Sequence, residues 1–208
     1  MLLLARIGFE YWADDLQASP LDAPLAVADG GAIDQRIRLR ARDHYQMQLV
    51  FRKPAGDGQR LRELLEAPVL RDGQPVSEGV AVPLRWSLSE IDSGRVVAQG
   101  EPVADGLSGW GSDDFFRTVT SFSARPGWYR LQAQVTRPVP ELAGVPTRLH
   151  IGLHPKATGS AQTEWAWFGR LICVFLDPLM ALAALALAGW TIRDLIVRRR
   201  ATASAAAA

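Results

Sequence analysis

An antiparallel β-sandwich with one short helix, followed by a C-terminal transmembrane helix, is the fold class this sequence predicts. Three observations carry it. Between Ser19 and Lys156 several stretches alternate apolar and polar residues with period two, the mark of half-buried strands. Gly, Pro and Asp clusters separate these stretches at short intervals, as turns do. Finally, the 22 residues from Leu171 to Ile192 carry a single charge, Asp177.

The 208 residues are 48% hydrophobic and 22% charged, with a formal net charge of +1. That length holds one domain of about 100–150 residues with an appendage. Nucleic-acid binding is excluded as a leading function, because it requires a basic face and the charge is nearly balanced. The one cysteine, Cys173, lies in the apolar run, so neither an intrachain disulfide nor a thiolate metal site is available.

Residues 1–18, "MLLLARIGFEYWADDLQA", begin with leucines and lack a basic segment in front of them, so they are not a complete signal peptide. An apolar stretch ending in Phe9, Tyr11 and Trp12 and followed by Asp14 and Asp15 is similar to the far end of a spanning helix. The expectation is an apolar N-terminal segment, either a short packing element or a clipped transmembrane helix.

Residues 19–156 form the predicted β-domain, opening with a connector, "SPLDAPLAVADGGA". Ile37 and Leu39, then Tyr45, Met47, Leu49 and Phe51, mark two strand segments with a bend at Arg42 and Asp43. In "GDGQRLRELLEAP", Leu61, Leu64 and Leu65 share a helical face, with Gly58 before and Pro68 after. Strands follow at "VAVPLRWSLSE", "SGRVVAQGE", "FFRTVTSFS", "PGWYRLQAQV" and "TRLHIGLHPK", and Pro83 restricts its segment to an edge or a strand start. No βαβ rhythm is present, so a doubly wound nucleotide-binding sheet is not expected.

The order "YQMQLVF", short Leu-rich helix, "VPLRWSLS", "FFRTVTSF" and "PGWYRLQAQVTRPVPELAGVPTRLHIGLHPK" resembles the bacterial domain of unknown function family 5625, over about residues 32–156. The resemblance brings no active site with it. It implies an envelope protein, in some cases encoded beside secreted toxins, and hence self-protection. The sequence departs from lipoprotein forms of the family in having no lipobox cysteine near its start.

No catalytic, metal-binding or cofactor-binding residue is assigned. His150 and His154 are four apart, but on a strand that separates them by about 13 Å, too far to share a metal. "GLSGWGSDD" lacks the Gly-x-Ser-x-Gly elbow and its strand-turn-helix setting. Trp110 among glycines, with Asp113 and Asp114 beside it, is instead the predicted partner contact, an aromatic on an exposed loop.

The run Leu171–Ile192 spans about 33 Å as a helix, enough for a hydrocarbon core of about 30 Å. Residues 165–197 are therefore predicted as one transmembrane helix, kinked at 177–178, where Asp177 is a possible N-cap and Pro178 a first helical residue. An acid inside the membrane requires a partner. Arg170 and Arg6 are the available cations. Ala181, Ala184 and Ala188 form a small-residue stripe suited to helix association, including homo-oligomerisation. Arg193 and Arg198–Arg200 outweigh Lys156 and Arg170, which puts the C-terminus in the cytoplasm and the β-domain in the periplasm. Residues 198–208 are expected to form a disordered cytoplasmic tail.

The function expected is that of a bacterial inner-membrane protein, not an enzyme. It would contact membrane lipid and bind a protein partner through its periplasmic sandwich, as an immunity protein against a secreted toxin. The alternative is a structural or assembly subunit of an envelope complex.

Overall fold

The computed structural model describes residues 2–54, 56, 58–66, 70–71, 74–75, 79–154 and 159–206. The elements, in order, are α1 (Leu2–Gln17), β1 (Leu21–Pro24), β2 (Ala32–Leu39), β3 (Asp43–Arg52), α2 (Gly58–Leu65), β4 (Leu70–Arg71), β5 (Gln74–Pro75) and β6 (Val82–Glu90). They continue with β7 (Val96–Gly100), β8 (Val103–Ala104), β9 (Gly109–Trp110), β10 (Asp114–Ala124), β11 (Gly127–Val135), β12 (Thr147–Leu153) and α3 (Ala161–Ala206). They form two compact units, Tyr11–Glu164 and the pair Met1–Glu10 with Trp165–Ala208.

The larger unit is a β-sandwich of two five-stranded antiparallel sheets. One has the order β1-β12-β3-β10-β9; the other runs β2-β11-β6-β7, with β8 added on β6. The alternation read from the sequence becomes the interior. Tyr45, Met47, Leu49 and Phe51 of β3 are buried in one cluster with Leu84, Trp86 and Leu88 of β6 and Tyr129, Leu131 and Ala133 of β11. Apolar residues at every second position of facing sheets leave water together, which is what holds the layers. Pro83 sits at the second residue of β6, near the strand start that suits a proline, and its carbonyl accepts the Thr136 N–H at 3.0 Å.

Three local features differ from the sequence reading. The connector holds a strand, β1, whose Leu21 and Ala23 are buried where it pairs with Ile151 and Leu149 of β12. Four residues ending in proline carry no readable period alone; the free edge of β12 makes them a strand. In β10 the register shifts between Thr118 and Thr120, so Phe115, Arg117 and Val119 and then Phe122 all face inward. A bulge reverses the face that strict alternation would give. α2 has Gly58 as its first helical residue and buries Leu61 and Leu65; its predicted closure at Pro68 lies outside the described residues. Tyr11–Gln17 of α1 belong to this unit, where Arg40 Nε lies 2.9 Å from Asp15.

The smaller unit is formed by the starts of α1 and the greater part of α3. α3 is helical from Ala161 to Ala206 with Pro178 inside it, so Asp177 does not cap a new helix. The helix starts instead at Ser160, whose hydroxyl accepts the Thr163 N–H at 3.3 Å. A proline removes one backbone hydrogen bond without stopping an apolar helix whose other bonds persist. The backbone is also helical over 198–206, where a disordered tail was expected, in keeping with the high helix propensity of alanine. Among the described residues only Ala161–Asp194 is long and apolar enough to cross a membrane. The 16 residues of α1 extend about 24 Å, short of that thickness.

Candidate functional site

In the sandwich, the predicted contact residues separate into two roles. β9 is the terminal strand of its sheet, and pairing with β10 sets Trp110 opposite Phe115. The Trp110 side chain is 68% exposed, and the Arg62 guanidinium of α2 stands 5.7 Å from its ring. Beneath this strand, the Phe116 ring lies 3.5 Å from where a Cβ would stand at Gly111, an ordinary van der Waals contact. Lys53 fastens the loop by donating to the carbonyls of Gly111 at 2.6 Å and Ser112 at 3.2 Å. Asp113 is exposed beside Trp110. Asp114 turns inward, where Arg148 bridges it at 3.4 Å and Asp22 at 2.9 Å. Trp110 and Asp113 are therefore both exposed, whereas Asp114 joins strands together.

Ser108 accepts the Thr118 N–H at 2.8 Å beside the bulge in β10, a structural role. His150 and His154 stay apart along β12 and its exit. His150 lies 4.0 Å from Asp22; burial and the Arg148 charge push its pKa below the usual histidine value. Across β3 and β10, Ser123 Oγ meets His44 Nδ1 at 2.7 Å, a cross-strand pair the sequence reading did not single out. The adjacent Asp43 accepts the His44 backbone N–H at 2.7 Å and the Thr163 hydroxyl at 2.7 Å. Its carboxylate thus secures the first turn of α3 in this unit.

Sequence reasoning also missed Arg117, which is fully buried. Its guanidinium donates to the carbonyls of Leu65 at 2.7 Å, Val80 at 2.6 Å, Ala104 at 3.2 Å and Gly106 at 3.1 Å. Leu65 ends α2, so the cation lies at the negative end of that helix. Burial lowers its pKa to about 10, which leaves it charged at neutral pH. Its signal in the sequence was an arginine in phase with Phe115 and Val119, legible only once the inward face of β10 was known.

The helical unit contains a line of alternating charges. Arg6 donates through Nε and Nη2 to Asp177 at 3.1 and 3.2 Å, and through Nη1 to Glu10. Arg170 Nε lies 3.3 Å from the other Glu10 oxygen. Partnering of 6 with 177 and 10 with 170 makes the two helices antiparallel here. Phe9 packs on Gly169, where an added Cβ would collide with the ring. Of the two cations available to Asp177, Arg6 takes it and Arg170 takes Glu10. Ala181, Ala184 and Ala188 are exposed on α3. Among the described residues, no three His, Cys, Asp or Glu side chains converge as metal ligands would.

No functionally curated protein matches the chain. A protein of Sulfurospirillum deleyianum known from its crystal structure is similar in fold, with a TM-score of 0.55 at 17% identity over 67% of this chain and 99% of its own. The pre-peptidase C-terminal domain of collagenase from Bacillus anthracis also aligns, with a TM-score of 0.27 at 12% identity over 65% of this chain and 89% of its own. A family model, the domain of unknown function DUF5625, matches residues 22–153, more than half the chain and nearly the whole sandwich. With that match covering the strands of both sheets, the chain belongs to the DUF5625 family.

Proposed function

We propose that this protein is anchored in the bacterial inner membrane by α3 and uses the β9 edge of its periplasmic sandwich to bind a protein partner. The observation that carries the reading is Trp110: a large aromatic, mostly exposed, on a terminal strand whose following loop Lys53 fastens. A preorganised aromatic on a sheet edge supplies contact area at low entropic cost, and the free strand edge accepts main-chain pairing. The partner is a secreted antibacterial toxin, and the protein acts as its immunity factor at the membrane. Arg193 and Arg198–Arg200, past the apolar run of α3, support the orientation; Lys156 and the side chains of Arg198–Arg200 lie outside the described residues.

Affinity capture from detergent-solubilised membranes, followed by mass spectrometry, tests the binding. Recovery of a toxin with the wild type and its loss with Trp110→Ala supports the reading. Deletion of the gene that leaves cells indifferent to the neighbouring gene's expression would sink the immunity role. Alkaline phosphatase fused after Lys156 should be active and a fusion after Arg200 inactive; the reverse overturns the orientation. A second reading, an assembly subunit, is favoured by the exposed Ala181, Ala184 and Ala188 stripe, which suits close helix packing with another chain or a second copy. Capture of transporter or secretion subunits in place of a toxin would select it.

A further inference from the structure

The outer face of β2 carries Arg36 and Arg38, because residues two apart on a strand share a face, and Arg40 follows just past its end. β2 is an edge strand, so this row lies open along one side of its sheet. Arg40 is taken by Asp15 at 2.9 Å, and the nearby Asp34 is taken by Arg130. Arg36, Arg38 and the following Arg42 are exposed and have no acidic partner among the described residues. Instead Arg36 lies 4.2 Å and Arg38 5.9 Å from the ring centre of Trp128, which is 46% exposed. Unpaired guanidinium groups stacked on a half-exposed indole present charge and an amphipathic ring together.

The place of this face in the chain matters as much as its charge. Arg38 and Trp128 line one cleft of about 400 Å³ with Trp12 of α1 and Gln162 of α3. Gln162 lies in the first turn of α3. It precedes Trp165 by three residues, about 4.5 Å of helix rise, and the apolar run at Leu171 by nine, about 14 Å. Tryptophans at a helix end mark the headgroup layer, and only nine residues of chain separate Gln162 of the cleft from the start of the apolar run. Anionic headgroups offer phosphate oxygens to the arginines and an interfacial medium to the indole.

We propose that the Arg36–Arg38–Trp128 face, with Arg42, docks on the headgroups of anionic phospholipids in the bilayer that α3 crosses. The proposal rests on the spanning role of α3 and adds to it a lipid-selective contact of the sandwich. It is independent of the partner surface at Trp110.

The test uses the full chain in nanodiscs of phosphatidylcholine, with or without phosphatidylglycerol, followed by hydrogen exchange. Backbone amides of residues 36–42 and 127–130 are expected to exchange at least roughly fivefold more slowly with the anionic lipid, the factor that one engaged arginine's attraction to a charged surface supplies. The effect should disappear in a combined Arg36→Gln, Arg38→Gln, Arg42→Gln variant, while exchange in β3 and β6 stays unchanged. Equal exchange in both lipids overturns the proposal. So does protection produced by inorganic phosphate in phosphatidylcholine discs, which would assign the face to a free anion. Alkaline extraction checks the anchor separately: release from membranes sinks the spanning reading and this one together, whereas retention with lipid-independent exchange sinks this one alone.

Discussion

Arg6 on α1 and Asp177 on α3 form a two-pronged ion pair, Nε to Oδ1 at 3.1 Å and Nη2 to Oδ2 at 3.2 Å, inside the apolar length of α3. It gives the one acid of that run a counter-charge. Glu10 and Arg170 extend the alternation, so the four charges cancel. Charges on so apolar a helix are tolerable in hydrocarbon only when compensated in this way.

Removing one partner should therefore harm the protein more than removing both. Arg6→Leu or Asp177→Leu leaves the other charge uncompensated, and membrane abundance should fall several-fold. The double variant should recover most of it. Immunoblots of membrane fractions decide this; single variants at wild-type abundance would show that the pair is dispensable.

Arg117 should prove a keystone of the sandwich. Arg117→Met keeps the volume but strands the carbonyls of Leu65, Val80, Ala104 and Gly106. A loss of about 3–5 kcal/mol is expected in denaturant unfolding. Arg117→Lys should be intermediate, because an ammonium donates three hydrogen bonds where the guanidinium makes four here.

Trp110→Ala should leave stability within about 0.5 kcal/mol, because the side chain is exposed. Partner capture should nevertheless drop at least tenfold. A large loss of stability with retained capture would assign Trp110 to the fold instead.

His150 should make the sandwich sensitive to mild acid. Burial, helped by the Arg148 charge, outweighs the opposing Asp22 carboxylate and holds its folded pKa below the unfolded value. The unfolded chain then binds the proton more readily, so stability is full above the unfolded pKa of about 6.5 and declines as pH falls below it. Urea midpoints measured between pH 7 and 5 should fall more steeply for the wild type than for His150→Asn.

The legible part of the fold was whatever depended on periodicity. Leu84, Trp86 and Leu88 announced an inward face, and Tyr129, Leu131 and Ala133 announced its neighbour, because alternation is set residue by residue. Leu61 and Leu65 did the same for α2. β1 escaped notice because four residues around Asp22 and Pro24 become a strand only against the edge of β12. The bulge beyond Thr118 also hid the inward face of β10, and with it Arg117. Of the contact residues, Trp110 and Asp113 were separable from Asp114 only when Arg148 was seen reaching across from β12.

By itself the sequence determined the class: alternating strands for a two-sheet sandwich, and 22 nearly uncharged residues for a helix long and apolar enough to cross a membrane. Those properties are local, written in spacing and length. Tertiary structure alone decided which strands are neighbours, which cation answers Asp177, and that Arg36 and Arg38 share a face with Trp128. Each of these joins residues far apart in the chain. Their pairing depends on register and packing across elements, which no single segment encodes.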